Sequence, residues 1–167
     1  GYIDEIKINR KSLLYNSINI NSNRVLFIES NTNNNDTTFI DSSNSHHYIT
    51  RYGDVFHKTS VHRINKSSIY FDNTSSAYLQ IPDHEDFNFG SNDFTIQTNI
   101  YLISHNDWAT IITQSEGGGG GGSSWYFGMA DAASGTGKIT FAITTDGNGW
   151  NYNHTHMISN TSLELNI

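Results

Sequence analysis

Trp150-Asn151-Tyr152 follows the turn tetrad Asp146-Gly147-Asn148-Gly149, so a loop offers two large aromatics with amides beside them. Aromatic faces stack on pyranose rings, and amides or carboxylates hydrogen-bond the hydroxyls, which is the side-chain chemistry of sugar binding. Trp125 and Tyr126 are neighbours in a strand-like run beside six consecutive glycines, Gly117 to Gly122. Adjacent strand residues point to opposite faces, so one ring of that pair is expected in the core and the other outside. Ligand contact is therefore assigned to Trp150, Asn151, Tyr152 and Trp125, with packing over a loop as the alternative for Trp150. Trp108 stands in an apolar context and is expected in the core.

Two loops are rich in oxygen donors. Asp146 and Asn148, with Asn151 nearby, form a candidate calcium site, and Asp83-His84-Glu85-Asp86 forms a second, each with a solvated turn as the alternative. Eight histidines raise the question of zinc. His154 and His156 would share a strand face and His46 and His47 are adjacent, but no third ligand follows from spacing, so polar-loop histidines are the expectation. Retaining glycoside hydrolysis needs two carboxyls about 5 to 5.5 Å apart. Glu5, Glu29, Glu85, Glu116 and Glu164 fall on different runs, and the neighbours Asp4 and Glu5 point to opposite faces, so no enzyme is expected. The glycine run lacks the Lys-Ser/Thr that a phosphate loop requires and reads as a flexible hairpin loop.

The elements that must position these residues are strands. Ala77, Leu79 and Ile81 share one face of a run, and Phe94, Ile96, Thr98, Ile100 and Leu102 share one face of another, against Gln80, Thr95, Gln97 and Asn99 opposite. Further strands are read at Tyr2 to Ile8, Val25 to Glu29, Tyr48 to Val55, Val61 to Ile64, Trp108 to Thr113, Trp125 to Met129, Lys138 to Thr144 and Leu163 to Ile167, with Phe39 to Asp41 a short strand or turn entry. Turn signals recur between them, which is the pattern of an all-β sandwich. No helical period stands out. The 167 residues suffice for one ordinary domain, and aromatics at 13% supply much of its core. A net charge of -7 with scattered Lys and Arg argues against a nucleic-acid footprint. The absence of cysteine excludes disulfides and thiolate metal sites. No apolar run is long enough for a membrane helix, so a soluble chain without membrane insertion is expected, and the initial Gly suggests a processed or cut polypeptide.

Tyr70-Phe71-Asp72, Tyr78-Leu79-Gln80-Ile81-Pro82, Phe87-Asn88-Phe89 and Asp93-Phe94-Thr95-Ile96 resemble laminin-G-like modules of the concanavalin A-like lectin and glucanase superfamily. Phe39-Ile40-Asp41-Ser42-Ser43 and the Gly53 turn resemble that family's early strands. The resemblance implies an antiparallel two-sheet jelly roll, incomplete at its C-terminus. It also implies a place in extracellular or virion-surface proteins such as phage tails, and possible calcium beside the ligand. Gly1 to Ile8 resembles the closing strand of such a module. Residues 1–15 are therefore read as the tail of a preceding repeat or a permuted strand, 16–23 as a linker and 24–167 as the truncated module. The functional expectation is a non-catalytic carbohydrate-binding or adhesion module, whose partners are a glycan or cell-surface polysaccharide and neighbouring copies of itself. The alternative is a structural module that decorates a fibre, appendage or capsid and binds no sugar.

Overall fold

A computed structural model describes residues 1–10, 23–72, 76–115, 123–144, 147 and 156–167. Among them the protein is nearly all β, with a 3-10 turn at Glu85–Phe87. It divides into two compact units, Gly1–Tyr101 and Leu102–Ile167.

The first unit holds β1 (Tyr2–Asn9), β2 (Arg24–Glu29), β3 (Thr50–Tyr52), β4 (Val55–Lys58), β5 (Ser68–Phe71), β6 (Tyr78–Gln80) and β7 (Thr95–Tyr101). β1 is the centre of an antiparallel sheet. One edge is shared by β2, opposite residues 5 to 9, and β5, opposite Tyr2 and Ile3, while the other edge pairs with β7; β4 extends the sheet beyond β5. The β1 side chains Ile3, Asp4, Glu5, Ile6, Ile8 and Asn9 are buried. The apolar face read in β7 meets the β1 isoleucines, Ile96 opposite Ile8, Thr98 opposite Ile6 and Ile100 opposite Ile3. Leu26, Ile28, Val55 and Ile69 complete this core at 2% exposure or less.

Val61 to Ile64 is not a strand; the segment is irregular, and the backbone N–H groups of Arg63 and Ile64 are held by the buried Asp4 carboxylate instead of a ladder. Two further side chains organise the loops of this unit. Asp41 forms an isolated bridge to Ile28 and accepts four hydrogen bonds, from Phe27 N and Ser43 N on Oδ1 and from Ser43 Oγ and His47 N on Oδ2, at 2.8 to 2.9 Å. His57 is 2% exposed, stacks on Phe39, donates from Nε2 to the Thr38 carbonyl at 2.9 Å and faces Ser30 Oγ from Nδ1 at 2.6 Å. Ser30 in turn contacts Ser67 Oγ, which accepts from Thr32 N, so the buried polar chain is satisfied from end to end.

Asp36 fixes the loop beside it. The Thr32 hydroxyl and the Thr38 amide hydrogen-bond its carboxylate and hold the pKa at about 2, below its ordinary 3.8. A depressed carboxyl contributes stability that is complete above the unfolded value and is lost as pH falls toward the folded one. The expected result is a stability step between the ordinary value of 3.8 and about 2. Denaturant midpoints across that range should show the step in the native chain and lack it in Asp36→Asn.

The second unit is a meander of β8 (Thr110–Ser115), β9 (Ser123–Met129), β10 (Lys138–Ile143) and β11 (His156–Ser162), in the order β11-β10-β9-β8. The last strand ends at Ser162; Leu163–Ile167 is not a strand. Two tryptophan expectations are corrected here. Trp108 is 42% exposed: it adopts a positive φ of 57° in the turn before β8, and its ring meets Tyr126 edge-on at 6.2 Å. Trp125 and Tyr126 are both buried, at 3% and 7%, although they are sequence neighbours. The Tyr126 hydroxyl turns back to donate toward the Ala109 and Met129 carbonyls, each at 3.1 Å, which lets its ring be enclosed. Gly128 makes this possible, since a Cβ there would collide with that hydroxyl and with the Ala109 carbonyl.

Candidate functional site

Asp146, Asn148, Trp150, Asn151 and Tyr152, the loop assigned to ligand and calcium, lie outside the described residues. Trp125 is packed within β9, beside Phe141 at a ring separation of 6.5 Å, and presents no free face for a sugar. An exposed aromatic surface is found instead on the two-stranded sheet of the first unit.

That surface is built by β3 and β6. Their register sets Tyr52 directly opposite Tyr78 and Thr50 opposite Gln80, so these four residues share one face. The two rings stack at 4.6 Å with 14° between their planes, and they remain 41% and 43% exposed. Tyr48, just before β3, is 76% exposed. Gly53 turns the chain from β3 into β4 with a φ of +62°, and a Cβ there would run into the Ser76 carbonyl close to β6. The result is a stacked pair of rings with Gln80 and Thr50 on the same face. Composition hid this site, because tyrosine is frequent in strands and nothing in the separate runs at 50–52 and 78–80 shows that they pair.

A second cluster joins two features that spacing alone left apart. His47, from the His46-His47 pair, lies beside His84 and Asp86 of the Asp83-His84-Glu85-Asp86 loop, with one donor atom of each residue within 4.8 Å of the others. Asp86 Oδ2 is 3.2 Å from His47 Nε2 and 3.3 Å from His84 Nδ1, and accepts a 2.6 Å hydrogen bond from Ser45 Oγ. The 3-10 turn Glu85–Phe87 places these groups: His84 caps it by accepting from Asp86 N, and Phe87 is buried against the His47 ring at 4.9 Å. Arg10 holds the turn from outside by donating to the Glu85 and Asn88 carbonyls.

The class defined by this architecture is an all-β protein with antiparallel sheets, carrying an exposed tyrosine pair and a His-His-Asp cluster in its first unit. Comparison with protein-family models, curated proteins and solved structures finds no match. Among the described residues, no helix is long and apolar enough to cross a membrane.

Proposed function

We propose that this chain is a non-catalytic carbohydrate-binding or adhesion module of the β-sandwich type, and that the Tyr52–Tyr78 face of β3 and β6 contacts the sugar. The observation that carries the reading is the exposed, stacked ring pair with an amide and a hydroxyl on the same face. Ring faces supply CH–π contact to a pyranose, and Gln80 and Thr50 supply hydrogen bonds to its hydroxyls. Rings locked against each other lose little freedom on binding, so a shallow site of this kind retains useful affinity. The site is small, and affinity for a surface would come from repeated copies engaging a polysaccharide together, in an extracellular or virion-surface setting. The non-catalytic reading is supported by the enclosure of the Ser30–His57 pair, whose members are 0% and 2% exposed and have no access to a substrate.

A glycan array probed with the chain, with calcium and with a chelator, tests the proposal. Selective binding is the expected result, and its loss on chelation would mean that a metal ion takes part in the binding. Absence of binding by a folded chain in both conditions would overturn the reading in favour of a structural module.

A further inference from the structure

The His47 side chain is 7% exposed, and its Nε2 is buried with no hydrogen-bond partner. A buried ring nitrogen without a partner is costly, by more than the net value of most hydrogen bonds. It faces Asp86 Oδ2 at 3.2 Å, but not along a hydrogen-bonding direction, and the His84 ring closes the other side with ring centres 4.8 Å apart. The orphaned nitrogen therefore has a carboxylate oxygen and a second imidazole as its neighbours.

The geometry points to a divalent transition-metal site, with zinc as the best chemical match, ligated by His47 Nε2, an imidazole nitrogen of His84 and Asp86 Oδ2. Two nitrogens and one oxygen suit zinc and its neighbours, whereas calcium and magnesium require oxygen ligands throughout. Zinc bonds to imidazole and carboxylate are about 2.0 to 2.2 Å, so ligand atoms around it stand a little over 3 Å apart. The two Asp86 contacts, at 3.2 and 3.3 Å, already have that spacing. The remaining closure requires a rotation of His84, whose side chain is 53% exposed. That rotation gives up its bond from Asp86 N, at 3.2 Å, and shifts its edge contact with the His47 ring.

The surroundings are those of supported ligands. Ser45 Oγ orients the Asp86 oxygen, the Asp41 carboxylate holds the His47 backbone N–H, and Phe87 packs on the His47 ring. Three protein ligands leave a coordination position open to water or to an external oxygen donor. Bound there, the ion ties the loop carrying His47 to the Glu85–Phe87 turn, segments that are far apart in sequence. This site is independent of the sugar-binding reading.

The test is calorimetric titration of zinc chloride into the untagged, chelator-stripped full chain, with His84→Ala, Asp86→Asn and His62→Ala alongside. His62 is an exposed histidine whose Nδ1 lies 3.1 Å from the Thr59 carbonyl, and it controls for adventitious imidazole binding. His84 is exposed enough that its removal leaves folding intact, which circular dichroism checks. The expected result is one site per chain, weakened about tenfold or more by His84→Ala and by Asp86→Asn and unchanged by His62→Ala. Zinc at about a hundred times its dissociation constant should raise the melting temperature by about 5 °C or more, and calcium should not. Failure of the folded chain to bind zinc, binding indifferent to His84→Ala, or calcium binding in its place would overturn the assignment.

Discussion

Replacing Asp41 with alanine is expected to destabilise the first unit by about 4 kcal/mol, measured as a shift in the urea midpoint. The carboxylate is 2% exposed and gathers donors from three separate places: Phe27 on β2, Ser43 two residues on, and His47 at the far end of the loop. Its loss leaves backbone N–H groups of Phe27, Ser43 and His47 without the acceptor they now use, and each buried unsatisfied group costs about 1 to 3 kcal/mol. Asp41→Asn keeps one carbonyl oxygen for two of the four donors and should recover part of the loss. Ser43→Ala removes the hydroxyl bond to Asp41 and the acceptor of the Ser45 amide and should cost about 1 to 2 kcal/mol. An equal, small effect for all three would mean that the loop reorganises freely and that Asp41 does not hold it.

His57→Ala is expected to cost about 3 to 5 kcal/mol by the same measurement. The ring fills space against Phe39 at a centroid distance of 4.6 Å and joins the Thr38 carbonyl to the Ser30 hydroxyl. Alanine opens a cavity, takes the donor from the Thr38 carbonyl and leaves the Ser30 hydroxyl with Ser67 alone. Phenylalanine fills the volume but restores neither polar contact, so His57→Phe should recover the packing share and cost about half as much. If phenylalanine proved as stable as the native histidine, the polar chain through Ser30 and Ser67 would be irrelevant to the fold. Ser67→Ala, which removes the acceptor of the Thr32 amide, should show a smaller loss of about 1 to 2 kcal/mol.

The strand content was legible in the sequence because a period of two is a local signal. The Phe94 to Leu102 alternation becomes β7, and the isoleucines spaced along Tyr2 to Ile8 become its β1 partner. Long-range placement was not legible. Trp108 sits in an apolar context and is exposed, because a positive φ at one turn residue redirects its ring. Trp125 and Tyr126 are both enclosed because a hydroxyl finds two carbonyls and a glycine clears the way, neither of which alternation can express. Phe39 to Asp41 was legible as a short strand or turn entry, yet the bonds of Asp41 to Phe27 and His47 depend on tertiary structure.

The candidate sites divide along the same line. The Asp83 to Asp86 loop and the His46-His47 pair were each visible as groups of metal-ligand types, but their meeting requires two distant loops to pack around Phe87. The nitrogen ligands then shift the chemistry from calcium toward zinc. The tyrosine pair depends on the register of two strands of three residues each, far apart in sequence, which no local pattern expresses.

The most direct test of the sugar-binding account is a comparison of the native chain with a Tyr52→Ala/Tyr78→Ala variant on the same glycan array. Solution titration against the best-bound glycan should follow, with folding of both proteins checked by circular dichroism. The account predicts selective binding by the native chain and a loss of affinity of about tenfold or more in the variant, the scale expected when stacked ring contacts are removed. No binding by the folded native chain, or equal binding by the folded variant, would contradict it.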